Sequence, residues 1–455
     1  MKNIFLLMII LCLSLCLIGC GGGGGGSSKS SKGNIVLTVR NNKTFITNTQ
    51  VTLFNDKDKY LGVTNDKGIV TFNNINVGSY FVEVEGYEVT NTVSVIKDMT
   101  VEETVNVDEV SSKITFIFYG NSYDLDKGLR NNMKEMFQYG STNKVNVIVM
   151  YKLSDNRVFR GKVEKSDGSD ITKGLEELSP RLFSNASNLE EFIIWAKNKY
   201  PADTYILDLW NHGSGWHPDY DNRAINHEED KSCMEIYDLH TVLQGKNIEY
   251  LLFDACNMQF IEVLAQLKDD VSYSIASEEA IPSRGYNYTN LFTYLNTKNN
   301  INDALIAFCK AQVEEPSWTS IGTDIKFNNM ERIDNLNERI SDISDFLYEN
   351  SNKYRDEVNN ARRNIPNIYY AGKDINSFLT EFGNEINNSE FNNLLKAYIS
   401  EEKSVFLYNK TIDTKKGFLV NIPNANIWRD KYAISYPKTA FAKSTGWDKF
   451  LETIR

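Results

Sequence analysis

Tyr205-Ile206-Leu207-Asp208-Leu209-Trp210-Asn211-His212-Gly213-Ser214-Gly215-Trp216 and Tyr250-Leu251-Leu252-Phe253-Asp254-Ala255-Cys256 are two short apolar runs, each leading into a residue able to do chemistry. Runs of this length read as strands buried in an open α/β sheet. The residues just beyond such a strand lie at the carboxyl edge of the sheet, where these folds bind ligands, so two strand ends can bring an imidazole and a thiol together. A thiol is a weak nucleophile until ionised. A neighbouring imidazole that accepts its proton makes the thiolate available near neutral pH. The pairing of His212 with Cys256 therefore implies cysteine-peptidase chemistry.

The sequence on either side of the two runs gives the fold class. Residues 114–118 and 145–150 read as strands, and between them Leu125, Leu129, Met133, Met136 and Phe137 recur at helical spacing. Residues 192–196 close a second helix before the His212 strand. After Cys256, Met258, Ile261, Leu264 and Leu267 mark another helix and 271–276 another strand. Strands alternating with helices imply an α/β fold with a mostly parallel sheet and right-handed crossovers. From residue 326 a long amphipathic helix runs through Ile333, Leu336, Ile340, Ile343 and Leu347, and a cluster of strands including 417–423 comes after it. This α+β extension is expected to pack on the core.

Gly213 lets a carbonyl approach the backbone beside His212, and its N–H could join that of Cys256 in stabilising a tetrahedral oxyanion. Gly213 and Gly215 permit a sharp turn. Trp216 then either walls the substrate pocket or closes the local core.

Trp210 to Trp216, Asp254 to Met258 with Glu262, and Ala276 to Pro282 followed by Gly285-Tyr286 resemble the signature blocks of clostripain-like cysteine peptidases. Residues 118–125, 436–442 and 447–451 agree with further blocks in order, so the resemblance covers roughly 113 to 455. It implies a caspase-like αβα sandwich, His212 and Cys256 as the catalytic dyad, and protein or peptide substrates. It also implies Arg or Lys before the cut bond, held by an acidic pocket of which Asp254 is one member. The second acidic position of that pocket is Arg284 in this chain. Arg284 would pair with Asp254 and neutralise the pocket, offer a fork to an acidic substrate, or point to solvent. Members of the family are often cut between the two catalytic strands. In the long polar connection 217–247, Arg223-Ala224 and then Lys231-Ser232 are the bonds expected to be cut.

Other chemistries fit the sequence less well. All four histidines lie between 212 and 240, which raises a zinc site with Cys233 or Cys256. His212 and His217 share a loop rather than a helix face, and CxxC and HExxH spacings are missing, so no metal ligand is assigned. His217, His227 and His240 are expected as solvated loop residues, and Glu228-Glu229-Asp230 as a hydrated face. Ser214 lies on the same turn as His212, and such neighbours rarely face each other as a nucleophile and base must. Asp208 and Glu262 either orient something in the site or are structural polar residues; neither is assigned a catalytic role. The chemistry requires no cofactor, and a Ca2+ requirement is not legible in the sequence.

The remaining sequence says where this chemistry is delivered. Lys2, a nearly unbroken apolar run over 4–18 and Leu17-Ile18-Gly19-Cys20 resemble a bacterial lipobox, so 1–20 reads as a signal peptide cleaved before a lipidated Cys20. Residues 21–33, rich in Gly and Ser, form a flexible tether. An extracytoplasmic lipoprotein of the cell or outer membrane is implied, exposed in some hosts at the cell surface. Residues 34–110 read as a small all-β sandwich, with strands at 35–39, 51–54, 69–72 and 80–84 and a turn at Asn65-Asp66-Lys67-Gly68. This pattern resembles carboxypeptidase-regulatory-like and collagen-adhesin-repeat sandwiches. Residues 113–325 are then the peptidase core and 326–455 the extension. Beyond the signal and Cys20, Cys233, Cys256 and Cys309 remain, an odd number that implies a free thiol, with Cys309 in an apolar stretch expected in the core. The net charge of −11 argues against a nucleic-acid partner. The rival reading is a non-enzymatic surface adhesin on an inactive peptidase scaffold; retention of both His212 and Cys256 argues against it.

Overall fold

The computed structural model describes residues 31–454 apart from 42–43, 86, 89–91, 110–112, 218–224 and 411–416. They form two units, one ending at Val110 and one beginning at Ser111. The expected signal peptide, Cys20 and most of the tether lie outside the described residues.

In the first unit, strand Lys32–Arg40 alternates inward and outward, placing Ile35, Leu37 and Val39 in the core. It pairs antiparallel with Ile69–Asn76 and parallel with Thr100–Asn106, in register from Asn34 with Thr100 to Arg40 with Asn106. A second sheet is built on Gln50–Phe54 and Gly78–Val84. Val51, Leu53, Tyr80 and Val82 meet the first sheet's apolar residues in one core, as a sandwich requires. The turn expected at residues 65–68 is present, with Gly68 at φ +70° and its N–H 2.9 Å from the Asn65 carbonyl. One boundary shifts. The strand starts at Lys32, so the last two residues of the expected 21–33 tether belong to the sheet. Gly33 pairs with Ile75, and a Cβ there would overlap the Ile96 carbonyl.

The second unit is organised by a nine-stranded sheet. Its strands are β1 (Ile114–Asn121), β2 (Val145–Lys152), β3 (Val158–Lys162), β4 (Glu176–Leu178), β5 (Thr204–Trp210), β6 (Tyr250–Asp254), β7 (Tyr273–Ala276), β8 (Ile325–Asn329) and β9 (Phe406–Lys410). Their order is β4-β3-β2-β1-β5-β6-β7-β8-β9. The five central strands, β2 to β7 in that order, are parallel, and each flank adds two antiparallel strands. Every residue of β1, β2 and β6 is buried, as near-continuous apolar strands are when helices cover both faces. Helices α1 (Asp126–Tyr139), α5 (Tyr288–Thr297) and α6 (Ile301–Glu314) pack on one face through Leu129, Met133, Leu291 and Phe308. On the other, α2 (Ala186–Lys199), α3 (Ile236–Leu243), α4 (Ile261–Leu267) and α7 (Ile333–Glu349) contribute Phe192, Leu239, Leu264 and Ile340.

Two expectations about organisation change. The sequence after residue 326 is not an appendage to a finished sheet, because β8 and β9 continue it by antiparallel pairing. Beyond α7 the chain is mainly helical rather than a cluster of strands, with Gly372–Asp374 and Leu419–Asn421 forming a short separate pair. The connection between β5 and β6 is likewise not loop throughout, since it contains α3 and the buried residues 225–228.

Candidate active site

Parallel register fixes the geometry before any side chain is considered. Trp210 at the end of β5 is the partner of Asp254 at the end of β6. His212 and Cys256 therefore each stand two residues beyond the same rung of neighbouring strands. The two loops touch: a Cβ on Gly213 would overlap the Cys256 carbonyl and come 3.0 Å from the Cys256 nitrogen. Glycine at 213 is what allows this approach. His212 and Cys256 line one cavity of about 210 Å3, together with Trp210, Asp254, Ile281 and Gly285.

Loops from the neighbouring strands hold the pair. Asn211 donates to the Asn121 carbonyl at 2.6 Å and accepts the His227 N–H at 3.0 Å, while Asn121 donates to the His227 carbonyl at 2.8 Å. On the Cys256 side, the Asn257 and Gln259 N–H groups bond the Glu279 and Ser277 carbonyls at 3.0 Å each. The Cys256 Sγ lies 3.9 Å from the Ile281 carbonyl. Asn132 on α1 ties the third wall down, bonding the Arg284 and Tyr286 carbonyls and accepting the Trp210 indole N–H at 2.9 Å.

Asp124, on the loop that leaves β1, lies with Oδ1 2.8 Å from His212 Nε2. Sequence reasoning missed this residue. The available signal was its place in the 118–125 block, a few residues beyond a strand that pairs directly with β5. A carboxylate on Nε2 selects the Nε2–H tautomer and leaves Nδ1 as the basic nitrogen.

Asp254 is buried at the cavity floor. Its Oδ2 accepts the Tyr286 N–H and contacts the Tyr288 hydroxyl, both at 2.9 Å, and Gly285 lies against the carboxylate. Burial pushes its carboxyl up to about 7. Arg284 does not pair with it. Its guanidinium, about half exposed, sits 3.3 Å from Glu135 on α1.

Other assigned residues lie elsewhere. Trp216 lines a second cavity of about 550 Å3 with His217, Glu235, Tyr237 and Glu262, not the cavity of His212 and Cys256. Gly215, at φ +74° and packed against Phe260, reverses the chain and sends the indole towards Tyr432 and Tyr436. Glu262 is fully buried, binds the Asn421 N–H and the Tyr436 hydroxyl, and is pushed up to about 7 by burial. Ser214 donates to the His217 carbonyl at 3.2 Å. Of the histidines expected as solvated loop residues, His227 is buried, while His217, packed on Trp216 and Tyr432, and His240, on α3 and 2.7 Å from Asp270, keep part of their surface exposed. Nor is the acidic run uniformly hydrated. Glu229 and Asp230 are exposed, but Glu228 is buried in an ion pair with Lys152. Arg223 lies outside the described residues, whereas Lys231 is exposed.

None of the three cysteines of the described residues is in a disulfide. Burial raises the Cys309 thiol strongly and pushes that of Cys233 up to about 12, so neither suits nucleophilic work near neutral pH. Among the described residues, no helix is long and apolar enough to cross a membrane.

Comparison with known proteins identifies the family and the fold. The sequence model of the Clostripain family matches residues 115–453. Clostripain from Hathewaya histolytica is 25% identical over 256 residues, 47% of this chain and 49% of that protein, so the chain spans about half the length of the curated relative it matches. An inactive zymogen C11 protease from Parabacteroides distasonis is similar with a TM-score of 0.57 and 18% identity, over 74% of this chain and 99% of that one. A secreted C11 cysteine protease from Bacteroides thetaiotaomicron gives 0.56 and 16% over the same shares, 74% and 99%. These structural likenesses establish a shared fold.

Proposed function

The chain belongs to the clostripain family, and from that premise we propose that it is a cysteine endopeptidase whose dyad is His212 and Cys256. The observation that carries the reading is the register: both residues come after the same rung of adjacent parallel strands and line one cavity. Asp124 orients the imidazole, and Nδ1 of His212 takes the Cys256 thiol proton. The thiolate attacks the scissile carbonyl carbon, and the negative charge gathers on its oxygen. The N–H groups of Gly213 and Cys256 stabilise that oxyanion. His212 then gives its proton to the leaving amine, and water hydrolyses the thioester and frees Cys256.

The cleavage position takes Arg or Lys. Support comes from Asp254, a carboxyl on the cavity floor, and from the engagement of Arg284 with Glu135, which keeps the guanidinium off Asp254. The Gly19-Cys20 boundary supports export and lipid attachment at Cys20. Arg223-Ala224 is the proposed bond of self-cleavage, ahead of the exposed Lys231-Ser232.

The test is labelling of the purified full-length chain with peptidyl acyloxymethyl ketones ending in Arg, Lys, Asp or Ala, followed by mass mapping. The Arg and Lys probes are expected at Cys256, with labelling lost in His212→Ala. Adducts spread over Cys233 and Cys309, or unchanged in His212→Ala, would reject the dyad.

A further inference from the structure

The catalytic reading leaves Asp208 without a task. It sits in the middle of β5, fully buried, between register partners Phe118 and Leu252. A lone ionised carboxylate between apolar strands is costly. Its partner is Tyr288 in the first turn of α5, whose hydroxyl lies 2.7 Å from Asp208 Oδ2 and 2.9 Å from Asp254 Oδ2. A phenol has one proton to donate. It can serve one carboxylate, and the other contact is favourable when that carboxyl is itself protonated and donates to the phenol oxygen. Asp254 also accepts the Tyr286 N–H, so it is the better-stabilised anion, and Asp208 is the end that keeps the proton.

The other groups around this chain are Tyr286 from the pocket loop, Glu135 from α1 with Arg284 bound to it, and His212 and Cys256 across the cavity. Arg284 is the cation among them, and Glu135 already engages it.

We propose that Asp208, Tyr288 and Asp254 together hold two protons, the phenol's own and one shared by the carboxyls, and so carry a single negative charge, which makes Asp208 a specificity-determining residue setting the pH at which the pocket accepts a basic side chain. This rests on the basic pocket proposed above. Burial acts in the required direction on both carboxyls, holding Asp208 well above the usual carboxylate range and pushing Asp254 up to about 7. Above that pH, Asp254 is ionised and pairs with a guanidinium. Below it, the three groups gain a third proton and the attraction is lost.

The experiment compares kcat/KM for matched peptides with Arg or citrulline at the cleavage position, using the full-length chain from pH 5.5 to 8.5. Titration of the dyad affects both substrates and cancels in the ratio. The Arg-over-citrulline ratio is expected to fall towards about tenfold per pH unit below a midpoint near 7. Asp208→Asn keeps the shape and a neutral donor to the phenol, so the midpoint stays within about half a unit, whereas Asp208→Leu removes that donor and moves it up. Tyr288→Phe removes a donor from Asp254 and moves it up. A high ratio that is flat with pH, a midpoint that drops in Asp208→Asn as it would if Asp208 were charged, or a midpoint unmoved in Asp208→Leu overturns the shared proton and leaves the basic pocket standing. A wild-type ratio near one at every pH overturns both.

Discussion

Among its described residues the sandwich buries apolar side chains with Thr52 and Thr64, whereas the second unit buries Asp208, Asp254, Glu262, Glu278, Asp324, Lys326 and Glu402 as well. Removing charge from water is costly, so the two cores are built to different ends. In the sandwich, the apolar area buried is the main driving force. In the second unit part of that gain offsets buried carboxyls. Some are neutralised by ion pairs, as where Lys326 meets Asp324 at 3.1 Å and Glu278 at 3.4 Å. Asp254 opens instead onto the cavity of the dyad. Buried charge in such a place marks function more often than stability.

The comparison breaks or sharpens under mutation. The largest effect on turnover is expected in the dyad: Cys256→Ala abolishes peptide hydrolysis and His212→Ala lowers it by about 10³-fold or more, because the two act as one unit. Both variants should melt with the wild type, and residual turnover in purified Cys256→Ala refutes the assignment. Next comes Asp124→Ala, expected to lower kcat by roughly 10- to 100-fold with little change in KM, since it orients a base rather than binding substrate. Asp124→Asn, which can still accept from Nε2–H, should lose less. Equal losses in KM and kcat would remove Asp124 from the imidazole.

Glu262→Gln probes the cost of buried charge without touching the dyad. Wild-type Glu262 is pushed from 4.5 to about 7 by burial, so the unfolded chain releases a proton that the folded chain retains. Below pH 4.5 there is no penalty; between 4.5 and 7 stability falls by up to roughly 3 kcal/mol, then levels off. The variant cannot ionise, so its Tm relative to wild type should rise from pH 4.5 to 7. A constant Tm difference refutes this. The smallest effect on turnover belongs to Leu53→Ala in the sandwich core. It should destabilise that unit by about 2 to 5 kcal/mol while kcat/KM changes less than about twofold. A matching loss of activity would show that the units are not as separate in purpose as their cores suggest.

His212 and Cys256 were legible because each ends a run whose length and apolarity leave little choice but a buried strand. The central parallel strands came from the same signal. The edge strands did not, since β8 and β9 join the sheet across long stretches of helix and their short sequences carry no periodicity of their own. Asp124 was hidden because an exposed acid after a strand looks like any solvated loop residue until the neighbouring strand is known. Asp208 stands out in an apolar run, but its role does not follow from the run. Alternation along a strand says which face a side chain takes, but not that Tyr288 waits on that face. Of the two roles open to Trp216, packing against the core by Tyr432 and Tyr436 is the one the fold adopts, and sequence proximity to His212 cannot reveal the turn at Gly215 that decides it.

The pairing of Lys32–Arg40 with Thr100–Asn106 has a mechanical meaning. Lys32–Arg40 begins at one end of the pair and Thr100–Asn106 finishes at the other, and the two run parallel through seven paired positions. Residues 32 and 106 thus stand at opposite ends of the pair. A pull between them runs along both strands and loads all the rungs together in shear, whereas an antiparallel pair held this way would peel open one rung at a time. Stretched between residues 32 and 106 in a force-spectroscopy experiment, the sandwich should yield in a single high-force event.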